Sequence, residues 1–74
     1  MDSLRTVGVV DKSVAILAAL AERGPLTLAG LVGATGIARP TAHRLAAALE
    51  AHRLARRDEA GRWALGIRLA AWGA

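Results

Sequence analysis

The feature that most constrains this chain is Gly36, which falls between two stretches of helical periodicity. The first stretch, Leu28-Ala29-Gly30-Leu31-Val32-Gly33-Ala34, is short and stops at Thr35-Gly36. The second opens at Ala38-Arg39-Pro40 and runs to about His52. Gly36 can take the left-handed conformation that closes one helix and redirects the chain into the next. Two helices joined by three or four residues that include a glycine form the outline of a helix-turn-helix. Ile37 is expected to anchor this turn in the core.

Charge separates this pair from an ordinary helical hairpin. Residues 1–38 and residues 58–74 each balance, so the whole formal charge of +4 lies between Arg39 and Arg57, where five arginines face Glu50 alone. A basic second helix that continues into a basic segment is the electrostatic footprint of a phosphate-binding surface.

The flanking sequence completes the architecture. From Val9 to Arg23 apolar residues recur at helical spacing, with Val10, Val14, Leu17, Ala18 and Ala21 central and Val9, Ser13, Ile16 and Leu20 beside them. They cover roughly 200° of the helix, whereas one core needs a stripe of about 100° or a little more. The surplus suggests a second partner, either the domain wrapping the helix on two sides or a dimer contact. Gly24-Pro25 ends this helix, Leu26 suits a very short strand, and Thr27 reads as the N-cap of the next helix. Gly30 and Gly33 weaken that next helix by around 1 kcal/mol each relative to Ala. In the longer helix, Ala42, Leu45, Ala46 and Leu49 cluster on one side, and Pro40, His43, Arg44, Ala47 and Ala51 lie nearly opposite. After His52 the period changes to two. Leu54 to Arg57 and Arg62 to Leu65 read as short strands around the turn Asp58-Glu59-Ala60-Gly61. The fold class is mainly α with a small β-hairpin, a winged helix-turn-helix. It is expected to comprise a flexible arm over 1–8, the domain over 9–66 and the start of a further helix over 67–74.

Other functions find little support. The chain of 74 residues has no Cys, so it has neither a disulfide framework nor a thiolate metal site. His43 and His52 lack ligand spacing and fall on opposite sides of their helix, so no metal or other cofactor is expected. Ser3 and Ser13 have no neighbouring base, and no glycine-rich phosphate loop follows a strand, so the chain is not expected to be an enzyme. No apolar run is long enough to span a membrane, and no secretion signal opens the chain, so a soluble cytoplasmic protein is expected.

The candidate recognition residues are Arg39, Thr41, His43 and Arg44. An α-helix fits the major groove of B-DNA, and residues near its N-terminal end reach base edges there. Arg56, Arg57 and Arg62 flank the hairpin, and a wing lying along the backbone or in the minor groove would neutralise phosphates through them. Asp58 and Glu59 at the tip argue against deep insertion. Thr27 is placed with the backbone contacts. The competing reading is a winged helix used for protein–protein contact, its basic surface meeting an acidic partner.

Four segments resemble one family. They are Asp11-Lys12-Ser13-Val14-Ala15-Ile16-Leu17, then Leu28-Ala29-Gly30-Leu31 with Ala34-Thr35-Gly36-Ile37, then Thr41-Ala42-His43-Arg44-Leu45, and Arg57-Asp58 with Gly61-Arg62-Trp63-Ala64-Leu65-Gly66. Together they are similar to the IclR-type bacterial transcription regulators. The run from Gly36 to Ala46 resembles a subgroup, the NdgR-type regulators of amino-acid biosynthesis. The resemblance implies a dimerising winged-helix domain that reads double-stranded operator DNA, with half-sites one helical turn (roughly 34 Å) or a multiple apart. It implies a recognition helix from Ala38 to about Ala51, with Arg39, Pro40, Thr41, His43 and Arg44 nearest DNA, and a wing from Leu54 to Leu65. It further implies that a small-molecule effector binds a C-terminal domain absent from this chain, and that residues after Gly66 begin an interdomain linker helix. The sequence departs from the family pattern at Ala38 and Pro40, at Gly30 and Gly33, and at Arg53, which stands where a glycine usually closes the recognition helix.

Overall fold

The computed structural model describes residues 8–73. In chain order these form α1 (Gly8–Arg23), α2 (Leu28–Thr35), α3 (Arg39–Ala51), β1 (Ala55–Arg57), β2 (Trp63–Leu65) and α4 (Ile67–Gly73). The arm expected over 1–8 lies outside the described residues except for Gly8, which is already helical. The architecture is a winged helix-turn-helix, with α1, α2 and α3 around one core and an antiparallel hairpin as the wing.

Local chemistry accounts for the breaks. The Gly24 N–H donates to the Leu20 carbonyl at 3.0 Å and closes α1. Leu26 is the expected short strand, its N–H and carbonyl both bonded to Trp63 at 2.8 and 2.7 Å. Thr27 caps α2, its Oγ1 accepting from the Gly30 N–H at 3.0 Å. At the other end Gly36 takes φ +74°, and its N–H returns to the Val32 carbonyl at 2.8 Å. The Thr35 hydroxyl donates to the Leu31 carbonyl and accepts from the Ile37 N–H, which steers Ile37 into the core.

The core is built of small side chains around a few large ones. Trp63, Ile16 and Leu31 are its largest fully buried members, joined by Leu20, Ile37, Leu49 and the alanines 42, 46 and 55. Truncating a buried leucine or isoleucine such as Leu31 or Ile16 typically costs about 2–5 kcal/mol. The alanines let α3 approach α1 and the hairpin closely.

One sequence expectation needs correction here. The helical wheel centred the core face of α1 on Val10, Val14, Leu17, Ala18 and Ala21 and left Ala19 on the polar side. The buried residues are instead Ile16, Ala19 and Leu20, with Ala15 and Leu17 half-buried. Val9, Val10 and Val14 are more than half exposed. A 200° apolar arc does not say which of its edges meets the neighbours. The packing of α2, α3 and β2 chose the Ile16 edge, where Ala19 permits close approach.

The hairpin ladder is one residue shorter on each strand than expected. Ala55 faces Leu65, Arg56 faces Ala64, and Arg57 faces Trp63. Leu54 stays out because its N–H donates to the Leu49 carbonyl at 2.9 Å and finishes α3. Arg62 belongs to the turn, its N–H bonded to Asp58 Oδ1 at 2.8 Å. The last helix, α4, buries no residue fully, and Ile67 and Trp72 are largely exposed.

Candidate nucleic-acid interface

The outward face of α3 follows from its inward one. Ala42, Ala46 and Leu49 are buried, so the residues half a turn away must face solvent. Arg39, Pro40, His43 and Arg44 are all exposed, whereas Thr41 sits half-buried on the flank. Arg39, Pro40, His43 and Arg44 line one shallow open concavity together with Leu28 of α2. Leu28 was not singled out from sequence, because only the crossing of α2 over the start of α3 brings it there.

The start of α3 carries no capping side chain. Ala38 occupies the N-cap position without a hydroxyl, and proline stands in the first turn. Unsatisfied N–H groups at a helix N-terminus favour anions, and Arg39 adds a full charge at the same place. Thr27 is different: its hydroxyl oxygen is already engaged in capping α2.

The three wing arginines occupy three different situations. Arg57 and Trp63 form a cross-strand pair, and the Arg57 guanidinium lies over the indole at 4.5 Å from its centroid. Its Nε and Nη2 both donate to the Gly61 carbonyl, at 3.3 and 3.1 Å. Arg56 alternates with Arg57 along β1; it lines one open groove with Glu50, Arg53, Ala55, Gly66 and Ile67 and a second with Arg57, Asp58 and Arg62. Arg62 is ion-paired, its Nε 3.0 Å from Asp58 Oδ2. Among the described residues this is the only ion pair, and none of Arg39, Arg44, Arg53 and Arg56 has a carboxylate partner among them.

Asp58 is therefore a builder of the turn. Its carboxylate accepts from the backbone N–H groups of Ala60 and Arg62 and from the Arg62 guanidinium. The Arg62 backbone N–H is the main reason its carboxyl lies below the usual range; partial burial opposes this, and the other two donors reinforce it.

Trp63 joins wing to helix. Its indole meets the His43 ring edge-on, with centroids 6.4 Å apart and planes at 81°. Trp63 is thus in contact with Arg57 of the wing and with His43 of α3, whose exposed neighbours on that helix include Arg39 and Arg44. The turn Asp58 to Gly61 expected from sequence sets Arg57 opposite Arg62; the observed register is shifted by one and brings Trp63 there instead, because Arg62 is held in the turn by Asp58.

A second junction ties α3 to α4. Arg53 closes α3 at φ +62°, its N–H on the Glu50 carbonyl at 2.9 Å. The Arg68 N–H donates to the Arg53 carbonyl at 3.3 Å, and Arg68 Nη1 donates to the His52 carbonyl at 3.1 Å. No group of three or more metal-ligating side chains occurs among the described residues. No described helix is long and apolar enough to cross a membrane.

Comparison with known proteins agrees with this geometry. The model of the IclR helix-turn-helix domain matches residues 9–59. Among solved structures the chain is similar to HmgR of Pseudomonas aeruginosa, at 32% sequence identity and a TM-score of 0.78. The match covers 86% of this chain and 27% of the HmgR chain. No curated protein sequence gives a significant match.

Proposed function

The chain belongs to the IclR helix-turn-helix family, and on that premise we propose that it is the sequence-reading domain of a dimeric transcription regulator. The observation that carries this reading is the exposure of Arg39, His43 and Arg44 on α3, with the wing joined to that helix where Trp63 meets His43. α3 enters the major groove N-terminal end first. Arg39 and Arg44 supply donors to guanine edges or phosphates, and Thr41 and His43 supply shorter-range contacts. Pro40 keeps the leading turn narrow. The uncapped start of α3 binds a phosphate beside Arg39.

Residues 9–66 form the reading domain, and 67–74 begin the helix that leads to an effector-binding domain in the whole regulator. The resemblance of Gly36 to Ala46 to the NdgR-type subgroup supports target genes of amino-acid metabolism and a small-molecule effector. The half-exposed valines of α1 support self-association of the domain.

Selection from random duplexes tests the central reading, with Arg39→Ala as comparator. The expected outcome is an enriched sequence whose binding weakens by ~1–3 kcal/mol in the variant, with relaxed preference at one position. Equal losses on enriched and random DNA would remove Arg39 from base reading. Failure to enrich any sequence would sink DNA recognition and leave the protein-contact reading standing.

A further inference from the structure

Arg57 has the sequence signature of a phosphate contact and the geometry of something else. Two of its nitrogens are committed to the Gly61 carbonyl, at 3.3 and 3.1 Å, and the plane of its guanidinium is committed to Trp63 at 4.5 Å. These contacts close a loop. The Gly61 carbonyl belongs to the turn, and Trp63 stands opposite Arg57 in the ladder, so the side chain braces the hairpin across its own bend. Trp63 is held from behind by both backbone bonds to Leu26, immediately before the cap of α2. It is 2% exposed. With Arg57 over its ring, the indole meets the edge of His43, an exposed residue on the outward face of α3.

We propose that Arg57 is a positioning residue: through the indole of Trp63 it holds His43 in the orientation used for base contact, and does not itself neutralise a phosphate. This rests on the DNA-reading function proposed above. A lysine could not do the same work. It carries the charge but lacks the planar fork that bonds one carbonyl with two nitrogens while stacking on a ring. A phosphate contact, by contrast, asks mainly for charge. The two roles therefore respond oppositely to one conservative change.

The test uses the full 74-residue chain with Arg57→Lys and Arg57→Gln. Trp63 is left intact, since its loss would empty the core. Without DNA, the His43 ring resonances are expected to move in both variants while the core signals stay in place. Unmoved His43 resonances in Arg57→Lys overturn the proposal. With DNA, both variants are expected to lose about tenfold in affinity for the selected duplex. The slope of log affinity against log salt should stay at the wild-type value. Retained affinity in Arg57→Lys, together with a slope flattened by about one in Arg57→Gln on all sequences, is the mark of a phosphate contact and overturns it. If the wild-type chain selects no duplex, the DNA-reading function fails on its own. The resonance measurement then still decides whether Arg57 holds His43.

Discussion

At the scale of single residues, the junction after α3 holds the clearest strain. Arg53 sits at φ +62°, a conformation that costs an L-residue roughly 1–2 kcal/mol and glycine almost nothing. Its neighbour across the junction is Gly66, where an added Cβ would lie 2.1 Å from the Arg53 carbonyl oxygen. Glycine at 66 is thus demanded by close approach, while the residue that would benefit from being glycine is an arginine. Arg53→Gly should stabilise the domain by about 1 kcal/mol, read as a higher urea midpoint at unchanged slope. An unchanged or lower midpoint would mean that the Arg53 side chain supplies a compensating contact. The left-handed turn at Arg53 could be suspected from the residue's position after the helix. The steric demand at Gly66 could not, because the carbonyl that imposes it arrives from thirteen positions earlier in the chain.

At the scale of elements, α2 is the marginal helix, only eight residues long with two glycines inside it. From sequence the two look equivalent, each weakening the helix by a similar amount. In the fold they differ. A Cβ at Gly33 would meet nothing within 4 Å, whereas one at Gly30 would lie 3.2 Å from Leu26 Cδ2 and 3.4 Å from Thr27 Oγ1. Gly33→Ala is therefore expected to stabilise by about 1 kcal/mol. Gly30→Ala should gain less or lose, because it crowds the hydroxyl that caps the helix. Thermal melts of the two variants side by side check this, and equal gains would contradict the crowding argument. The same limit applies to α1: periodicity showed that the helix had apolar surface to spare, but not which edge the core would take.

At the scale of the whole molecule, that surplus becomes a surface. Val9, Val10 and Val14 are 67%, 54% and 57% exposed on α1, on a domain small enough that apolar exposure of this kind is a burden on solubility. We predict that the chain self-associates through this face. Sedimentation at two concentrations should show a mass that rises with concentration, and Val14→Asp should remain monomeric at both. A variant that sediments like the wild type would place the contact elsewhere. Self-association and the cationic strip belong to different sides of α1 and α3 respectively, so Val14→Asp should leave the folded melt close to that of the parent. Its effect belongs to assembly.

The local code determined a great deal here without help. Gly24, Gly36 and the Asp58 to Gly61 turn set where elements stop, because backbone conformation at those residues is a property of short segments. The crowding of uncompensated arginine between Arg39 and Arg57 is likewise a fact of order along the chain. What only the tertiary structure decided is which of those charges act together. Arg62 is ion-paired with Asp58, strand alternation separates Arg56 from the Arg57–Trp63 pair, and Trp63 contacts both Arg57 and His43. The Arg62–Asp58 pair lies within the turn itself, but the contact of Trp63 with His43 depends on the facing of the hairpin against α3, about which local propensity carries no information.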